Sequence, residues 1–147
     1  MTRLLSLAIA SAALLAVSVA ATAEDARPYD NGPVWDVSGV LTKPGHFDDY
    51  LKYVATTWRA EQEELKKAGV VLDYKVLTTQ DPRENEPDIW LMVEYKNMAA
   101  FDTPLDQQDA VQKKVFGSTA AGNKGVADRE SIRILKGDML TRELILK

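Results

Sequence analysis

The chain has 147 residues, no cysteine, one histidine and a formal net charge of −4. Without cysteine it forms no disulfide, and with one histidine it lacks the roughly four Cys or His ligands of a structural zinc site. The acidic balance argues against binding to nucleic acids, which depends on basic patches that contact phosphates, and against binding to anionic membrane surfaces.

Residues 1–23 have the pattern of a secretory signal peptide. Arg3 gives a positive start, residues 4–20 form a nearly continuous apolar run, and Ala-Thr-Ala at 21–23 fits a small-x-small cleavage site. The alternative is an uncleaved anchor, since about 17 apolar residues lie at the lower edge of a membrane-spanning length. The cleavage pattern favours removal, so we expect a periplasmic or secreted protein with no membrane span after signal cleavage.

The mature chain has the length of one domain. Residues 24–33 contain two prolines, a glycine and several charges, which predicts a flexible N-terminal segment. Residues 34–147 are predicted to form a single folded domain.

The first two elements of this domain are a strand predicted over 34–42 and a long helix predicted over 46–68. Pro44 and Gly45 separate them, and apolar side chains recur every three or four residues along one face of the helix. Gly69 is placed to end the helix in the left-handed conformation that glycine adopts without strain.

The later elements are two strands, a helical region and a closing strand. Strands are predicted over 70–79 and 89–96 as an antiparallel hairpin, helical stretches over 105–116 and 128–135, and the last strand over 138–146. The order β-α-β-β-α-β predicts an α+β fold of the ferredoxin-like type, in which helices cover one face of an antiparallel sheet.

The third predicted strand is apolar on both faces. Trp90 and Met92 alternate with Ile89, Leu91 and Val93, so helices on one face of the sheet leave apolar side chains on the other. Large exposed apolar patches are unusual on monomers. We therefore expect a second copy of the chain to cover this face, which gives a homodimer through the sheet.

These features together resemble the dimeric α+β barrel superfamily. The resemblance covers residues 34–146 and is carried by Pro44-Gly45-x-Phe47-x-x-Tyr50, by the Gly69 exit into a strand with Tyr74, by the stretch from Trp90 to Phe101, and by Arg142-Glu143-Leu144. The chain is most similar to small exported uncharacterised members, and more distantly to NIPSNAP-like and antibiotic-biosynthesis-monooxygenase-like groups. The resemblance implies two ferredoxin-like subunits packed sheet against sheet. Members of this superfamily include cofactor-free oxygenases, isomerases, haem enzymes and proteins with no known activity, so the fold does not determine the function.

Aromatic side chains are the main candidates for a ligand pocket. Tyr and Trp combine a large apolar surface with a polar group, which is typical of small-molecule sites. Packing in the core is the alternative interpretation. The pocket candidates are Tyr50, Trp58, Tyr74, Trp90 and Tyr95.

Candidates for catalysis are few. His46 can serve as a general base or a haem ligand, since histidine titrates near neutral pH, and the alternative is an exposed residue at a helix start. An aromatic-lined active site without a cofactor would use His46, Trp58 and Tyr74. No motif indicates a cofactor or a metal site.

Three arginines are candidates for anion binding, because guanidinium groups form forked hydrogen bonds with carboxylates and phosphates. Arg59 follows Trp58 on the long helix, and Arg129 and Arg133 are predicted to lie one turn apart on the later helix. Surface pairing of the last two with neighbouring acidic residues is the alternative.

Three functions follow from these candidates. The first is a non-catalytic exported dimer that binds a small apolar or aromatic ligand or another protein. The second is a cofactor-free monooxygenase or isomerase that acts in an aromatic-lined pocket. The third is a haem-binding protein with His46 as the axial ligand.

Overall fold

The computed structural model describes residues 27–102 and 104–147. The predicted signal peptide and the start of the predicted flexible segment lie outside these residues. Within the two described ranges, no helix is both long enough and apolar enough to cross a membrane.

Four strands form one antiparallel sheet in the described part of the chain. They are β1 (Tyr29–Thr42), β2 (Asp73–Thr78), β3 (Ile89–Tyr95) and β4 (Arg133–Leu146). The strand order is β2-β3-β1-β4, and β2 and β3 form the predicted hairpin. This order, with helical crossovers after β1 and β3, is the ferredoxin-like α+β fold, as predicted.

A long helix and two shorter ones accompany the sheet. Helix α1 covers residues 47–67 and consists of Phe47–Tyr53, a π-helical segment Val54–Trp58, and Arg59–Lys67. A short 3₁₀ segment at Met98–Asp102 precedes α2 (Leu105–Phe116), and α3 is Thr119–Arg129. Gly69 follows α1 with a φ of +73°, which confirms the predicted left-handed exit.

The core lies between α1 and one face of the sheet, here called the helix side. Leu91 and Val93 of β3 and Val54 and Trp58 of α1 are buried against each other there. Burial of such side chains contributes about 1.5–3 kcal/mol each to folding. The core residues are Val40, Tyr50, Val54, Trp58, Val71, Ile89, Leu91 and Val93.

The other face of the sheet, here called the open face, is also apolar. Residues that pair directly across an antiparallel sheet lie on the same face, and Trp90 pairs with Leu77 while Met92 pairs with Val37. Val37 in turn pairs with Met139. Leu77 and Met139 are 50% and 49% exposed, so the sheet presents large apolar side chains to solvent.

The prediction of a flexible segment up to residue 33 was wrong from Tyr29 onward. β1 begins at Tyr29, which pairs with Leu146 at the end of the chain. Gly32 and Pro33 lie at a register shift between β1 and β4, where a bulge accommodates a proline that cannot donate to the ladder. The residues that indicated a tether therefore belong to a long strand.

The helix predicted over 128–135 was also wrong. Helix α3 begins earlier, where the Ser118 Oγ accepts a hydrogen bond from the Ala121 N–H at 3.1 Å, and it ends at Arg129. Gly137 does not terminate a helix but lies inside β4 with a φ of +111°, at the second register shift with β1. Arg133 is consequently the first residue of β4.

Candidate functional site

A cavity of about 270 Å³ lies between the end of α1, the end of β3 and the start of α2. Tyr95 and Phe101 form one wall, with ring centroids 4.7 Å apart. We call this space the Tyr95 cavity. Its lining residues are Leu65, Val70, Tyr95, Ala100, Phe101, Gln107 and Gln108.

The carboxyl groups of Asp36 and Glu61 affect the pKa of the Tyr95 hydroxyl. Burial raises the pKa of Tyr95 to about 12, and the negative charges of Asp36 and Glu61 add to this rise. Because all three pKa effects favour the protonated phenol, Tyr95 is a hydrogen-bond donor at neutral pH.

Both carboxyl groups have pKa values above their ordinary range. Burial raises the pKa of Asp36, and the nearby charge of Asp138 raises it further. Burial also raises the pKa of Glu61, while a hydrogen bond of 2.8 Å from the Gln112 Nε2 and the charge of Arg129 oppose the rise. A carboxyl group that retains its proton closer to neutral pH is suited to proton transfer.

A second group of polar side chains lies where α1, α3 and β4 meet. The Cζ of Arg129 lies 3.8 Å from the centroid of the Tyr53 ring, and the Cζ of Arg133 lies 5.8 Å from that of Tyr50. The two tyrosine rings are 5.7 Å apart. We call these four residues the tyrosine–arginine cluster.

The arginines of this cluster have no acidic partner at ion-pair distance among the described residues. Asp128, one of the neighbouring acidic residues whose pairing with them was the alternative interpretation, accepts a bond from the Lys124 Nζ at 2.6 Å. Arg133 is only 5% exposed, and the Nε atoms of Arg129 and Arg133 are buried without a hydrogen-bond partner. The cluster therefore has an excess of positive charge.

Burial is the largest cause of the raised pKa values of Tyr50 and Tyr53. It raises the pKa of Tyr50 to about 12, against the opposing charge of Arg133, and it raises the pKa of Tyr53 against that of Arg129. Both hydroxyl groups consequently remain protonated and can donate hydrogen bonds at neutral pH.

Arg129 and Arg133 both belong to this cluster, but they lie on different elements and not on one helix as predicted. Arg129 ends α3 and Arg133 begins β4, so they do not lie one turn apart on a helix. Arg59 is not part of the cluster. It lies next to the hydroxyl of Tyr74 instead.

The aromatic pocket candidates do not share one pocket. Trp58 packs edge-on against Tyr74 at 5.4 Å and 90° in the core, and the Tyr74 hydroxyl donates to the Glu63 Oε1 at 2.6 Å. Trp90 lies on the open face, where its Nε1 donates to the Thr79 Oγ1 at 2.9 Å. Tyr50 belongs to the tyrosine–arginine cluster. Of the five candidates, Tyr95 is the one that lines the Tyr95 cavity.

His46 lies at the start of α1, partly exposed. Its Nδ1 is 3.2 Å from the Asp49 Oδ2, in the first turn of the helix. It lines neither the Tyr95 cavity nor the tyrosine–arginine cluster. Among the residues that the structure describes, no group of three or more His, Asp or Glu side chains is arranged to hold a metal ion.

Two residues near Tyr95 were missed in the sequence, although the pattern contains a signal for each. Asp36 occupies a helix-side position of β1, which a strict alternation from Val34 to Val40 assigns to the interior. Glu61 continues the apolar stripe of α1 between Trp58 and Leu65. An acidic residue at a position that the pattern assigns to the core, Asp36 in β1 and Glu61 in α1, was the indication of a functional site that the sequence contained.

The geometry defines a ferredoxin-like α+β domain with a partly open cavity and a cationic cluster. No protein-family model matches the chain, and no curated protein matches it.

Several solved structures are similar to this chain. HapK from Hahella chejuensis is 12% identical, with a TM-score of 0.51, over 75% of this chain and 91% of its own. A protein from Shewanella oneidensis is 13% identical, with a TM-score of 0.46, over 80% of this chain and 96% of its own. A dimeric ferredoxin-like protein from an uncultured marine organism is 10% identical, with a TM-score of 0.48, over 80% of this chain and 90% of its own. At such identities the likeness to HapK shows the fold alone.

Proposed function

We propose that the protein is an exported homodimer that binds a small apolar or aromatic molecule in the Tyr95 cavity. The observation that carries this proposal is the composition of the cavity wall. Leu65, Val70 and Phe101 provide apolar surface, and Tyr95 provides a hydroxyl group that remains protonated. Mostly apolar cavities with a few polar groups are the usual sites of small molecules.

The size of the cavity limits the ligand. Ligand pockets usually have volumes of about 300–1,000 Å³, and the Tyr95 cavity has about 270 Å³. We therefore expect a ligand of one or two rings, or a short aliphatic chain, rather than haem. No observation on the described residues favours haem, since His46 lies beside Asp49 outside this cavity.

Filling the cavity tests the proposal. Val70 lines it, whereas nearby Leu72 is exposed and does not. We expect a small molecule to copurify with the wild type, Val70→Phe to abolish its retention, and Leu72→Phe to leave its retention unchanged. Solvent extraction of both variants and the wild type, followed by mass spectrometry, measures this. Equal retention in all three proteins would locate the ligand elsewhere.

The homodimer is proposed from the open face of the sheet. Trp90 and Met92 lie there beside the exposed Leu77 and Met139. Packing two such faces removes apolar surface from water at about 25 cal/mol per Å². Sheets that pack face to face, about 10 Å apart, form a shared apolar layer of this kind.

A cofactor-free monooxygenase or isomerase is the second candidate function. The observation that favours it is the pair of raised-pKa carboxyl groups, Asp36 and Glu61, whose charges both act on Tyr95. Such groups can move protons during catalysis. If a panel of quinols or electron-rich phenols shows turnover, we expect Asp36→Asn and Glu61→Gln to lower kcat by about 100-fold or more. Turnover that is unchanged in both variants would exclude this assignment.

A further inference from the structure

We propose that the tyrosine–arginine cluster binds the carboxylate of a small organic acid. The inference goes beyond the proposed function, because the cluster shares no residue with the lining of the Tyr95 cavity. It concerns a second site, with a charged rather than a neutral ligand group.

The positive charge of the cluster is not balanced by a neighbouring acidic group. Arg129 and Arg133 each carry a guanidinium group, which is a cation, yet no acidic group lies within 4.0 Å of either guanidinium in the described ranges. The charge of Arg129 lowers the pKa of Glu61, but burial of Glu61 disfavours the ionised form of its carboxyl group. Buried charge without a partner is costly, so a bound anion would stabilise this arrangement.

The cluster also has unsatisfied hydrogen-bonding capacity. The buried Nε atoms of both arginines have no partner. Buried polar groups of folded proteins are nearly always bonded, so two such atoms in one cluster require an explanation. Guanidinium Nε–H and Nη–H groups together form the fork that binds a carboxylate through both oxygens.

Contacts with aromatic rings restrain the two guanidinium groups of the cluster. Arg129 stacks on Tyr53 and Arg133 lies by Tyr50, so aromatic rings hold both guanidinium groups. Such groups lose little rotational freedom when they bind an anion, which favours affinity. The hydroxyls of Tyr50 and Tyr53, whose pKa values are raised by burial, are further hydrogen-bond donors.

The neighbouring surface indicates an organic acid rather than a small inorganic anion. A cavity of about 340 Å³ is lined by Glu130, Arg133, Ile134 and Leu135. Ile134 and Leu135 are exposed apolar side chains that can contact the hydrocarbon part of the acid. Glu130 in the same wall is the competing explanation, because its carboxylate can serve as the counter-ion after a change of rotamer.

Calorimetric titration of the mature protein with three acids and their matched alcohols tests the proposal. The probes are benzoate, 2-naphthoate and octanoate, against benzyl alcohol, 2-naphthylmethanol and octanol. We expect at least one acid to bind more tightly than its alcohol by about tenfold, the effect of a charge-assisted hydrogen bond. Acids that bind no better than their alcohols, or none that bind at millimolar concentration, would overturn the proposal.

Variants identify the residues and separate this site from the Tyr95 cavity. We expect Arg129→Gln, at the partly exposed end of α3, to weaken binding of the acid about tenfold and Arg133→Lys to weaken it while preserving the charge. Val70→Phe, which fills the Tyr95 cavity, should leave acid binding unchanged. Loss of acid binding in Val70→Phe but not in Arg129→Gln would overturn this proposal and support the proposed function instead.

Glu130→Gln decides between an external acid and an internal counter-ion. If an external acid is the partner, removal of the competing carboxylate leaves its affinity unchanged or raises it. If Glu130 is the counter-ion, the variant loses thermal stability to the same extent as Arg129→Gln, and this result would overturn the proposal. Circular dichroism of each variant confirms that the fold is retained.

Discussion

Asp36 places a carboxyl group on the helix-side face of β1, between the buried Val34 and Val40. Its pKa is raised by burial and by the charge of Asp138. A carboxyl group whose pKa rises on folding makes the folded state less favourable at neutral pH, and groups with shifted pKa values cluster at functional sites.

We therefore predict that Asp36→Asn stabilises the protein at pH 7. The folded state holds the Asp36 proton to higher pH than the unfolded chain does, so stability is lost as the pH rises above the ordinary value of 3.8 and through the raised folded-state pKa. Asparagine cannot ionise and avoids this loss. Thermal unfolding should show a rise in Tm of about 1–3 °C at pH 7 that shrinks towards about pH 3.

Asp30→Asn is the control for Asp36→Asn. It removes the same charge at an exposed position, where Asp30 pairs with the Lys147 Nζ at 2.9 Å. We expect no gain in Tm from this variant. A Tm for Asp36→Asn below that of the wild type at pH 7 would show that the Asp36 carboxylate stabilises the fold.

At the scale of the element, β1 is the feature that sequence patterns predicted least well. Its first residues contain a proline and a glycine, which indicated a tether, yet they pair with the end of β4. The partner strand lies more than a hundred positions away in the sequence, and local patterns do not contain such pairing information. The hairpin of β2 and β3 was predicted correctly because its two strands are neighbours in the chain.

Hydrogen exchange tests this extension of β1. We expect the backbone amide of Asp30 to exchange slowly, on the time scale of the amides in the middle of β1, because Asp30 pairs with Ile145 in the register in which the Lys147 N–H donates to the Pro28 carbonyl. Exchange at the rate of an unstructured peptide would contradict the pairing and support the prediction that this segment is flexible.

Helix α3 offers a second test at this scale. Its N-terminus is capped by Ser118, whose Oγ accepts a hydrogen bond from the Ala121 N–H at 3.1 Å. We expect Ser118→Ala to lower the free energy of unfolding by about 1 kcal/mol, as measured by urea denaturation. Ser118→Asp, which preserves the acceptor, should retain nearly all of the stability; an equal loss in both variants would show that the cap is not the cause.

At the scale of the whole molecule, the sequence predicted the fold and the apolar open face better than it predicted the sites. Periodicity indicated α1 and β3, because burial fixes the pattern of apolar residues. It did not indicate that Arg129 and Arg133 meet on Tyr53 and Tyr50, since that arrangement depends on how α3, β4 and α1 pack together.

The proposed dimer leads to a prediction with a matched control. Leu77 on the open face is 50% exposed, and Leu105 on α2 is 76% exposed. Because neither side chain belongs to the core, a glutamate at either position should preserve the fold. We expect Leu77→Glu to shift the protein to monomer and Leu105→Glu to leave it dimeric, as measured by size-exclusion chromatography with light scattering. A wild-type dimer that persists in Leu77→Glu would exclude the open face as the interface.

The central claim is that this chain is an exported dimer that holds a small molecule. Native mass spectrometry of the protein purified from the periplasm, with no ligand added, tests it most directly. We expect a dimer of chains that begin at Glu24, together with additional small-molecule mass that disappears when the protein is denatured. A monomer that retains residues 1–23 and carries no additional mass would contradict the account.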